Sequence, residues 1–441
     1  MAGTTVKSLA ALLIGTAILI LGQGLMLALV PLSMNARGFS VTAVSLVGAA
    51  YFAGFFAGAW RGDAILRSVG HIRAYGGLVA LIIVAVLSLP FFSEAAIWVV
   101  LRFLHGFAAG GAFLAIEAWL NGAADEKSRG RVLASYMVVT LGGLGAAQFL
   151  ADVGDITTTT PFIVGGILFA ASIIPVVLTR IDVPPIDTAV GTPLSEVYQR
   201  SPFGVVTSFA VGMSIGAFWT LGPFFASEME LSVSQASTLM ATAVFAGLLL
   251  QWPAGYFSDR YDRRLVAVVI AGTAGAAAII AIVFMGIVGI PLIYVFFAVL
   301  GSQFCLYPIA MAHAVDQVQG RNESLGVARG LIMSNGLGQT IGPLLAGPFV
   351  ALFEPRGLLI YFAVILGGIA LFTRRRMKVG AHVTASQQGA YIFARSTTPA
   401  GAELNPRIDD DVSDHEGEHG SDTEERKEPG QVRDGGQDDG G

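Results

Sequence analysis

The chain repeats itself once, at an offset of about 193 residues, and each copy contains six long apolar stretches. Short segments recur with a drift of one to three residues: Pro31 matches Pro223, Phe39-Ser40-Val41 matches Leu231-Ser232-Val233, Phe52-Ala53-Gly54 matches Phe245-Ala246-Gly247, and Gly106 matches Gly301. This period far exceeds the roughly 20 to 50 residues of solenoid repeats and propeller blades. The sequence therefore predicts two copies of one six-segment unit.

Each apolar stretch is long enough to cross a membrane. A hydrocarbon core of about 30 Å needs about 20 residues of helix, because lipid offers the backbone no hydrogen-bond partner. Charged residues make up only 13% of the chain, against about 25% in a soluble domain. We expect spans near residues 8–30, 41–60, 74–92, 96–120, 132–153, 161–179, 203–226, 234–257, 265–288, 291–313, 326–350 and 357–373. The predicted fold is an all-α integral membrane protein, with twelve transmembrane helices in two pseudo-symmetric six-helix bundles.

Composition divides the chain into four regions. These are a first bundle (1–180), a polar, Pro-bearing interdomain linker (181–202), a second bundle (203–378) and a tail (379–441). Beyond Gly380 the tail holds 14 acidic and 5 basic residues. A segment this polar cannot bury enough apolar surface to offset its conformational entropy, so we expect it to be disordered. The alternative is a regulatory or partner-binding tail.

Basic residues lie mainly on one side of the predicted spans. If the N-terminus is cytoplasmic, the opposite side carries only Arg37 and Arg356 in its connections. The positive-inside rule therefore places both termini in the cytoplasm. The single cysteine, Cys305, excludes an internal disulfide or a cysteine metal cluster. We expect a monomer in contact with membrane lipid, with no cofactor, no bound metal and no nucleic-acid partner.

A charged loop joins the eighth and ninth predicted spans on the basic side. It reads Gly255-Tyr-Phe-Ser-Asp259-Arg260-Tyr-Asp-Arg263-Arg264. It resembles the Gly-x-x-x-Asp-Arg-x-Gly-Arg-Arg loop of the major facilitator superfamily, with Asp262 in place of the second glycine. The resemblance implies a cytoplasmic gate, in which Asp259 faces the positive N-terminus of the fifth span, entered from Arg129 and Arg131. The alternative is that the loop arginines only set topology and touch lipid phosphate.

The equivalent loop of the first half does not keep this pattern. It runs from Gly62 to Arg73, and Arg67 stands where the superfamily has its aspartate. The gate expected from the resemblance is therefore confined to the second copy.

Three ionisable residues of the fourth span are candidates for coupling. Arg102 begins Arg102-Phe-Leu-His105-Gly106, which is similar to an Arg-x-x-x-Gly pattern of the superfamily's fourth helix. An arginine inside a span usually faces a polar interior or a transport path, although it can instead snorkel to the outer interface. Glu117 lies about 22 Å further along the same helix. It either forms an ion pair with Arg129 or Arg131 at the mouth or carries a proton.

The resemblance extends over about residues 8–375 and is closest to the bacterial YcaD-like branch. The segments that carry it are Arg129-Gly-Arg131-Val-Leu-Ala-Ser-Tyr136-Met, Gly143-Leu-Gly-Ala-Ala-Gln148, Gln251-Trp252-Pro253-x-Gly255, Leu306-Tyr307-Pro308-x-Ala-Met and Gly338-Gln-Thr-Ile-Gly342-Pro343. It implies a bacterial plasma (inner) membrane transporter. The fifth span has Ala147-Gln148 where drug and proton antiporters of the superfamily carry Gly-Pro, which weakens an antiporter assignment.

Polar and aromatic side chains at mid-depth are candidates to line a substrate cavity, because intramembrane polar groups usually turn inward. They are Gln23, Tyr51, Tyr136, Gln148, Trp219, Gln251, Trp252, Gln303, Tyr307, Asn335 and Gln339. Amides and aromatics with few acids suit a neutral, zwitterionic or mildly anionic organic solute better than a metal ion.

These features favour a secondary active transporter of a small organic solute, coupled to protons, which works by alternating access of two halves around a central site. The sequence holds no Gly-x-x-x-x-Gly-Lys phosphate loop, so ATP-driven transport has no motor in this chain. A membrane enzyme would need a convergent catalytic set, which Arg102, His105 and Glu117 do not supply, so we expect no enzyme. The alternative is a transporter-like sensor that signals through its acidic tail.

Overall fold

The computed structural model describes residues 2–123, 128–178, 193–318 and 320–378, together with Gly389, Tyr391 and Thr398. In this part of the chain every regular element is helical. The helices are α1 (Ala2–Ala36), α2 (Val41–Val69), α3 (His71–Ser88), α4 (Ala95–Ala123), α5 (Arg129–Gln148), α6 (Thr160–Val177), α7 (Leu194–Arg200), α8 (Pro202–Glu228), α9 (Val233–Ser258), α10 (Arg263–Val288), α11 (Ile290–Leu300), α12 (Leu306–Val315), α13 (Arg321–Phe353) and α14 (Arg356–Met377).

Within the described residues, twelve helical segments are long and apolar enough to cross a membrane, which confirms the predicted fold. The tenth span consists of α11 and α12, joined by a 3₁₀ turn at Gly301–Cys305. Several helices extend beyond the predicted limits, such as the eleventh span at Asn322–Phe353. The prediction marked only the apolar core of each helix, whereas the backbone stays helical into its polar ends.

Two serines of the sequence repeat start equivalent helices. The side chain of Ser40 accepts a hydrogen bond from the backbone of Ala43 at the start of α2. Ser232 does the same for Gln235 at the start of α9, where the Gln235 side chain completes a capping box. Such caps satisfy backbone donors that a helix end would otherwise leave unpaired. The duplicated Ser-Val pair therefore sets where the second helix of each half begins.

Glycines of the repeat bring helix backbones into contact in both halves. A Cβ on Gly106 would overlap with the carbonyl oxygen of Tyr51 on α2, and one on Gly54 would overlap with a carbonyl of α4. In the second half, a Cβ on Gly301 would overlap with the carbonyl oxygen of Ala243 on α9. Small residues allow this approach in membranes, where packing rather than hydrophobic burial holds helices together.

The end of the predicted linker is helical rather than irregular. α7 lies before the second bundle, and Val197 packs against Gly330 of α13. Arg200 pairs with Glu196 and with Glu323, each at 2.8 Å. Polarity alone suggested no element here, but the contact of Val197 and the ion pair of Arg200 with Glu323 hold the segment to the second half, while the pair with Glu196 lies within α7. Residues 179–192 of the linker region lie outside the described residues.

The two halves meet closely at the end of the bundle opposite the basic loops. The Asn35 side chain at the end of α1 donates to Ser227 (2.8 Å) and Glu228 (3.1 Å) at the end of α8. A Cβ on Gly48 of α2 would overlap with the Thr220 side chain of α8. The described direct contacts thus close the seam at this end, which we call the sealed end. The other is the basic end.

We expect Gly106→Ala to destabilise the protein, because the added methyl group forces α2 and α4 apart. Overpacking typically costs about 1–3 kcal/mol. Gly77→Ala in α3 is the matched control, since nothing lies within 4 Å of its Cβ position. There, alanine should be neutral or stabilise by up to about 1 kcal/mol. Thermal denaturation in detergent compares the two, and equal melting temperatures would contradict the packing argument.

Candidate functional site

A cavity of about 110 Å³ lies between the two halves, which is space for several water molecules. Both bundles contribute to its wall, from α1, α2, α4 and α5 on one side and from α8, α12 and α13 on the other. Six predicted residues line it: Gln23, Tyr51, Trp219, Tyr307, Asn335 and Gln339. Gln339 donates to Asn335 at 2.6 Å, and Asn335 donates to the Ser208 carbonyl at 2.9 Å.

The other five predicted residues lie outside the cavity wall. Gln148 donates to the carbonyls of Leu144 and Gly24, and Gln303 accepts from Ser214, so both bond neighbouring backbone or helices. Tyr136 and Gln251 lie nearer the basic end. Trp252 is 77% exposed on the outer surface of α9, and its placement in the cavity was wrong. Trp252 follows Gln251 in the chain, so its side chain points about 100° away around the helix and faces outward rather than into the cavity.

Much of the wall is aromatic, and the sequence reasoning missed this because it considered only polar aromatics. Phe52, Phe55, Phe56 and Trp60 of α2 line the cavity, together with Phe113 of α4. Their spacing of i, i+3, i+4 and i+8 on α2 places them along one helix face. That stripe was a readable signal in the sequence.

Arg102 lies in the interior of the first bundle and is only 3% exposed, so it does not snorkel. Its Nη1 lies 2.9 Å from His105 Nδ1, and its guanidinium lies over the Tyr51 ring at 4.3 Å. His105 Nε2 lies 3.1 Å from Gln23 Oε1, and Gln23 Nε2 donates to the Tyr51 hydroxyl. Within the described residues, no carboxylate forms an ion pair with Arg102.

Donor chemistry assigns a direction to this network. Arginine only donates, so His105 Nδ1 must accept and Nε2 must carry the proton that goes to Gln23. The imidazole is therefore neutral in this arrangement. Each group in turn donates a hydrogen bond to the next, and the network reaches the hydroxyl of Tyr51 in the cavity wall. One buried positive charge thus polarises the cavity toward hydrogen-bond acceptors.

Glu117 is fully buried (0% exposed) and lies near the basic end of α4. Its Oε1 accepts a hydrogen bond of 2.8 Å from Tyr136, and its Oε2 accepts from the backbone and hydroxyl of Thr398. Arg131, one of its two predicted ion-pair partners, is exposed. The side chain of Arg129 lies outside the described residues.

The charged loop at the basic end is built around Arg263. This side chain is buried and pairs with Asp316 at 2.7 Å, while its Nη1 lies 3.6 Å from Asp259. Asp316 was not predicted; it follows α12 and becomes a partner only through the fold. Asp262 begins α10 by accepting from the backbone of Arg264, and it pairs with that side chain at 2.8 Å. A capping carboxylate thus replaces the second glycine of the superfamily's loop.

Asp259 does not make the contact with α5 that the gate prediction requires. Asp259 accepts a hydrogen bond of 2.7 Å from the backbone of Tyr391 instead of facing the start of α5. Arg260 stacks on the Tyr256 ring at 3.6 Å and is exposed. The loop therefore holds its ion pairs within the second half, with Asp259 turned to the tail.

Three residues of the tail lie against the bundle, which differs from the expected disorder at those positions. Gly389 and Tyr391 contact the second half, and Thr398 contacts Glu117 of the first. The prediction rested on the polar composition of the whole tail and did not consider the short apolar run at 390–394 that contains Tyr391. The remaining residues of 379–441 lie outside the described residues.

Comparison with known proteins agrees with this geometry. The "Uncharacterized MFS-type transporter YcaD" of Salmonella heidelberg (strain SL476) is 27% identical over 372 residues, which is 80% of this chain and 92% of the relative. A similarly named MFS-type transporter of Enterobacter sp. (strain 638) is 28% identical over 85% of this chain and 96% of its own length. These relatives confirm the resemblance to the YcaD-like branch.

Solved structures share the fold. The nucleoside transporter NupG matches with a TM-score of 0.72 at 15% identity, covering 85% of this chain and 100% of that chain. A D-xylose-proton symporter matches with a TM-score of 0.59 at 15% identity, covering 84% and 96%. The sequence profile of the Major Facilitator Superfamily matches residues 12–206 and 204–406. The chain therefore belongs to the Major Facilitator Superfamily and is a multi-pass membrane transporter.

Proposed function

We propose that the chain is a secondary active transporter that moves a small organic solute by alternating access. The observation that carries this proposal is the cavity between the halves, which is polarised by Arg102 through His105 and Gln23. A binding site at the interface of two six-helix halves can open to either side when the halves rock. We propose that this transport needs no cofactor and that the chain has no enzyme activity.

The wall of the cavity favours a mildly anionic organic solute. Aromatic rings on α2 and Trp219 offer flat apolar surface, while Asn335 and Gln339 offer amides. The guanidinium of Arg102 contributes a positive potential, because a charge acts more strongly in a poorly hydrated interior than in water. A solute with an apolar body and a carboxylate fits this wall, because its body can pack on the rings and its carboxylate is attracted by the positive potential.

The positions of the arginines indicate which end of the bundle faces the cytoplasm. We assign the basic end to the cytoplasm, since basic connections stay inside, and both termini then lie in the cytoplasm of a bacterium. The contacts of Asn35 with Ser227 and Glu228 would close the outer side. The structure is then an inward-facing state, in which the gate of Asp259 and α5 is open.

Glu117 is our candidate for the group that takes up a proton. It is buried beside the inner mouth, and its hydrogen bond from Tyr136 connects it to α5, a helix that lines the cavity. Movement between a buried and a hydrated position changes the relative cost of the charged form of a carboxylate. Such a change couples protonation to rocking of the halves.

For substrate binding, we expect Arg102→Gln to weaken the affinity for an anionic solute by about 10- to 100-fold, since charged hydrogen bonds contribute about 1.5–3 kcal/mol. A metabolite-library thermal-shift screen on purified protein identifies the solute, because a ligand of the folded form raises its melting temperature. Arg73→Gln, at an exposed position of α3, should leave the shift unchanged. An anion that stabilises Arg102→Gln as well as the parent protein would defeat this assignment.

For gating, we expect Asp259→Asn to favour the inward-facing state, because the amide loses the attraction of a carboxylate to a helix N-terminus, worth up to about 2 kcal/mol or thirtyfold in population. The reporter is Thr220→Cys in a Cys305→Ala background, since Thr220 is buried at the sealed end. Labelling from outside with an impermeant maleimide should fall. Asp63→Asn in the first-half loop is the control, and an equal fall there would contradict a specific gate.

For coupling, we expect Glu117→Gln to abolish accumulation driven by a pH step in proteoliposomes but to retain exchange of solute across the membrane. A neutral amide cannot carry the proton, although it keeps the shape of the side chain. Flux of the solute from the screen is the measurement. Normal pH-driven accumulation by this variant would exclude Glu117 as the proton carrier.

A further inference from the structure

A second, smaller cavity lies on the side of the 110 Å³ central cavity that faces the sealed end. Its volume is about 10 Å³, which is space for one water molecule. α1, α2 and α4 of the first half and α8 of the second half form its wall. Leu27, Phe52 and Trp219 line both cavities, so these three side chains lie between them. We call the smaller one the outer cavity.

Arg102 lines the outer cavity and is not among the described residues that line the central one. The central cavity is connected to Arg102 through His105, Gln23 and the hydroxyl of Tyr51. A ligand in the central cavity therefore meets the buried charge only through this network. A ligand in the outer cavity can contact the guanidinium itself.

The outer cavity has two buried donors in its wall. Arg102 and Thr220 are each only 3% exposed. Within the described residues, neither Nε of Arg102 nor Oγ1 of Thr220 has a hydrogen-bond partner. Buried polar groups are normally paired, because leaving one unpaired costs its full desolvation free energy. Nη1 of Arg102 is held by His105, so the edge of the guanidinium at Nε is left for a ligand.

We propose that the outer cavity is an anion subsite, in which Nε of Arg102 and the hydroxyl of Thr220 bind the carboxylate of the transported solute. This proposal rests on the proposed function, since it names where the charged group of the solute binds. A carboxylate fits the pair because it only accepts hydrogen bonds, and its bonds to a guanidinium are charge-assisted. Its negative charge also offsets the cost of a buried cation that has no carboxylate partner in the described part of the chain.

Thr220 belongs both to the outer cavity and to the closed seam. A Cβ on Gly48 of α2 would overlap with the Thr220 side chain of α8, so the two helices touch at this point. Separation of α2 from α8 here enlarges the outer cavity beyond the size of a water molecule and opens it to the sealed end. A solute from that side then meets Arg102 and Thr220 first. Its body reaches the aromatic wall of the central cavity only past Phe52 and Trp219.

A pair of substitutions at Thr220 tests whether this residue and Arg102 share one site. Thr220→Asp and Thr220→Asn have nearly the same size and differ in charge. At pH 8 the melting temperature of Thr220→Asp should equal or exceed that of Thr220→Asn, because the new carboxylate can pair with Arg102. In Arg102→Gln and Arg102→Met backgrounds this order should reverse, since the carboxylate is then buried without a cation.

The control for this cycle is Thr273, at an exposed position of α10. The difference between Thr273→Asp and Thr273→Asn should be the same with and without Arg102. Thermal denaturation in detergent gives all the values. If Thr220→Asp is the less stable of the pair by the same margin in every background, Arg102 and Thr220 do not share a site and the proposal is overturned.

Acetate tests whether the site takes a carboxylate, with neutral acetamide as a probe of similar shape. Sodium acetate should raise the melting temperature above that in sodium chloride at equal ionic strength, and acetamide should not. Thr220→Asp should abolish the shift, because its own carboxylate occupies the site. Thr220→Val should raise the acetate concentration at half of the shift by about tenfold, through the loss of one charged hydrogen bond. Thr273→Val should leave the shift unchanged.

An acetate shift that persists in Thr220→Asp, or one that chloride or acetamide reproduces, would overturn the carboxylate subsite. The charge-pair test uses no solute, so the subsite can fail while transport through the central cavity stands. If both tests succeed but proteoliposomes move no solute from the screen, the proposed transport fails and the anion subsite still describes the protein.

Discussion

Hydrocarbon offers no hydrogen-bond partner, so each polar group of the bundle must find one inside the protein. The backbone meets this demand by forming helices, and Arg102 meets it by donating to His105. His105 and Gln23 pass the donor character on to Tyr51 at the cavity wall. The electrostatic character of the cavity therefore follows from how one buried cation is satisfied.

The two halves share one arrangement of helices but differ in the side chains at equivalent positions. Equivalent serines cap α2 and α9, and equivalent glycines join α2 to α4 and α9 to the turn at Gly301–Cys305. At the repeat position of Arg102, however, the second half has Phe297, which stacks on Phe225 with ring centroids 5.9 Å apart. At this position the first half has a buried cation, and the second half has a pair of aromatic rings. Two similar bundles thus carry dissimilar chemistry.

Sequence reasoning predicted the span count and six of the cavity residues, because apolar length and amphipathic facing are local properties of helices. It also placed Trp252 in the cavity, which was wrong. Trp252 follows the inward-facing Gln251, and a step of one residue turns the side chain by about 100° around the helix. The partner of Arg263 could not be predicted either. Asp316 lies 53 positions further along the chain, and only the packing of α10 against the end of α12 brings the two together.

The sequence by itself determined twelve membrane helices in two related halves, with the arginines gathered at one end, because span length and charge asymmetry need no knowledge of contacts. Only the tertiary structure decided what the charged groups do. It turned Asp259 to Tyr391 and Glu117 to Thr398, two contacts that the polar composition of the tail did not predict. Isolated hydrogen bonds between distant segments leave no period in a sequence, so only the folded arrangement shows which groups these two carboxylates bind.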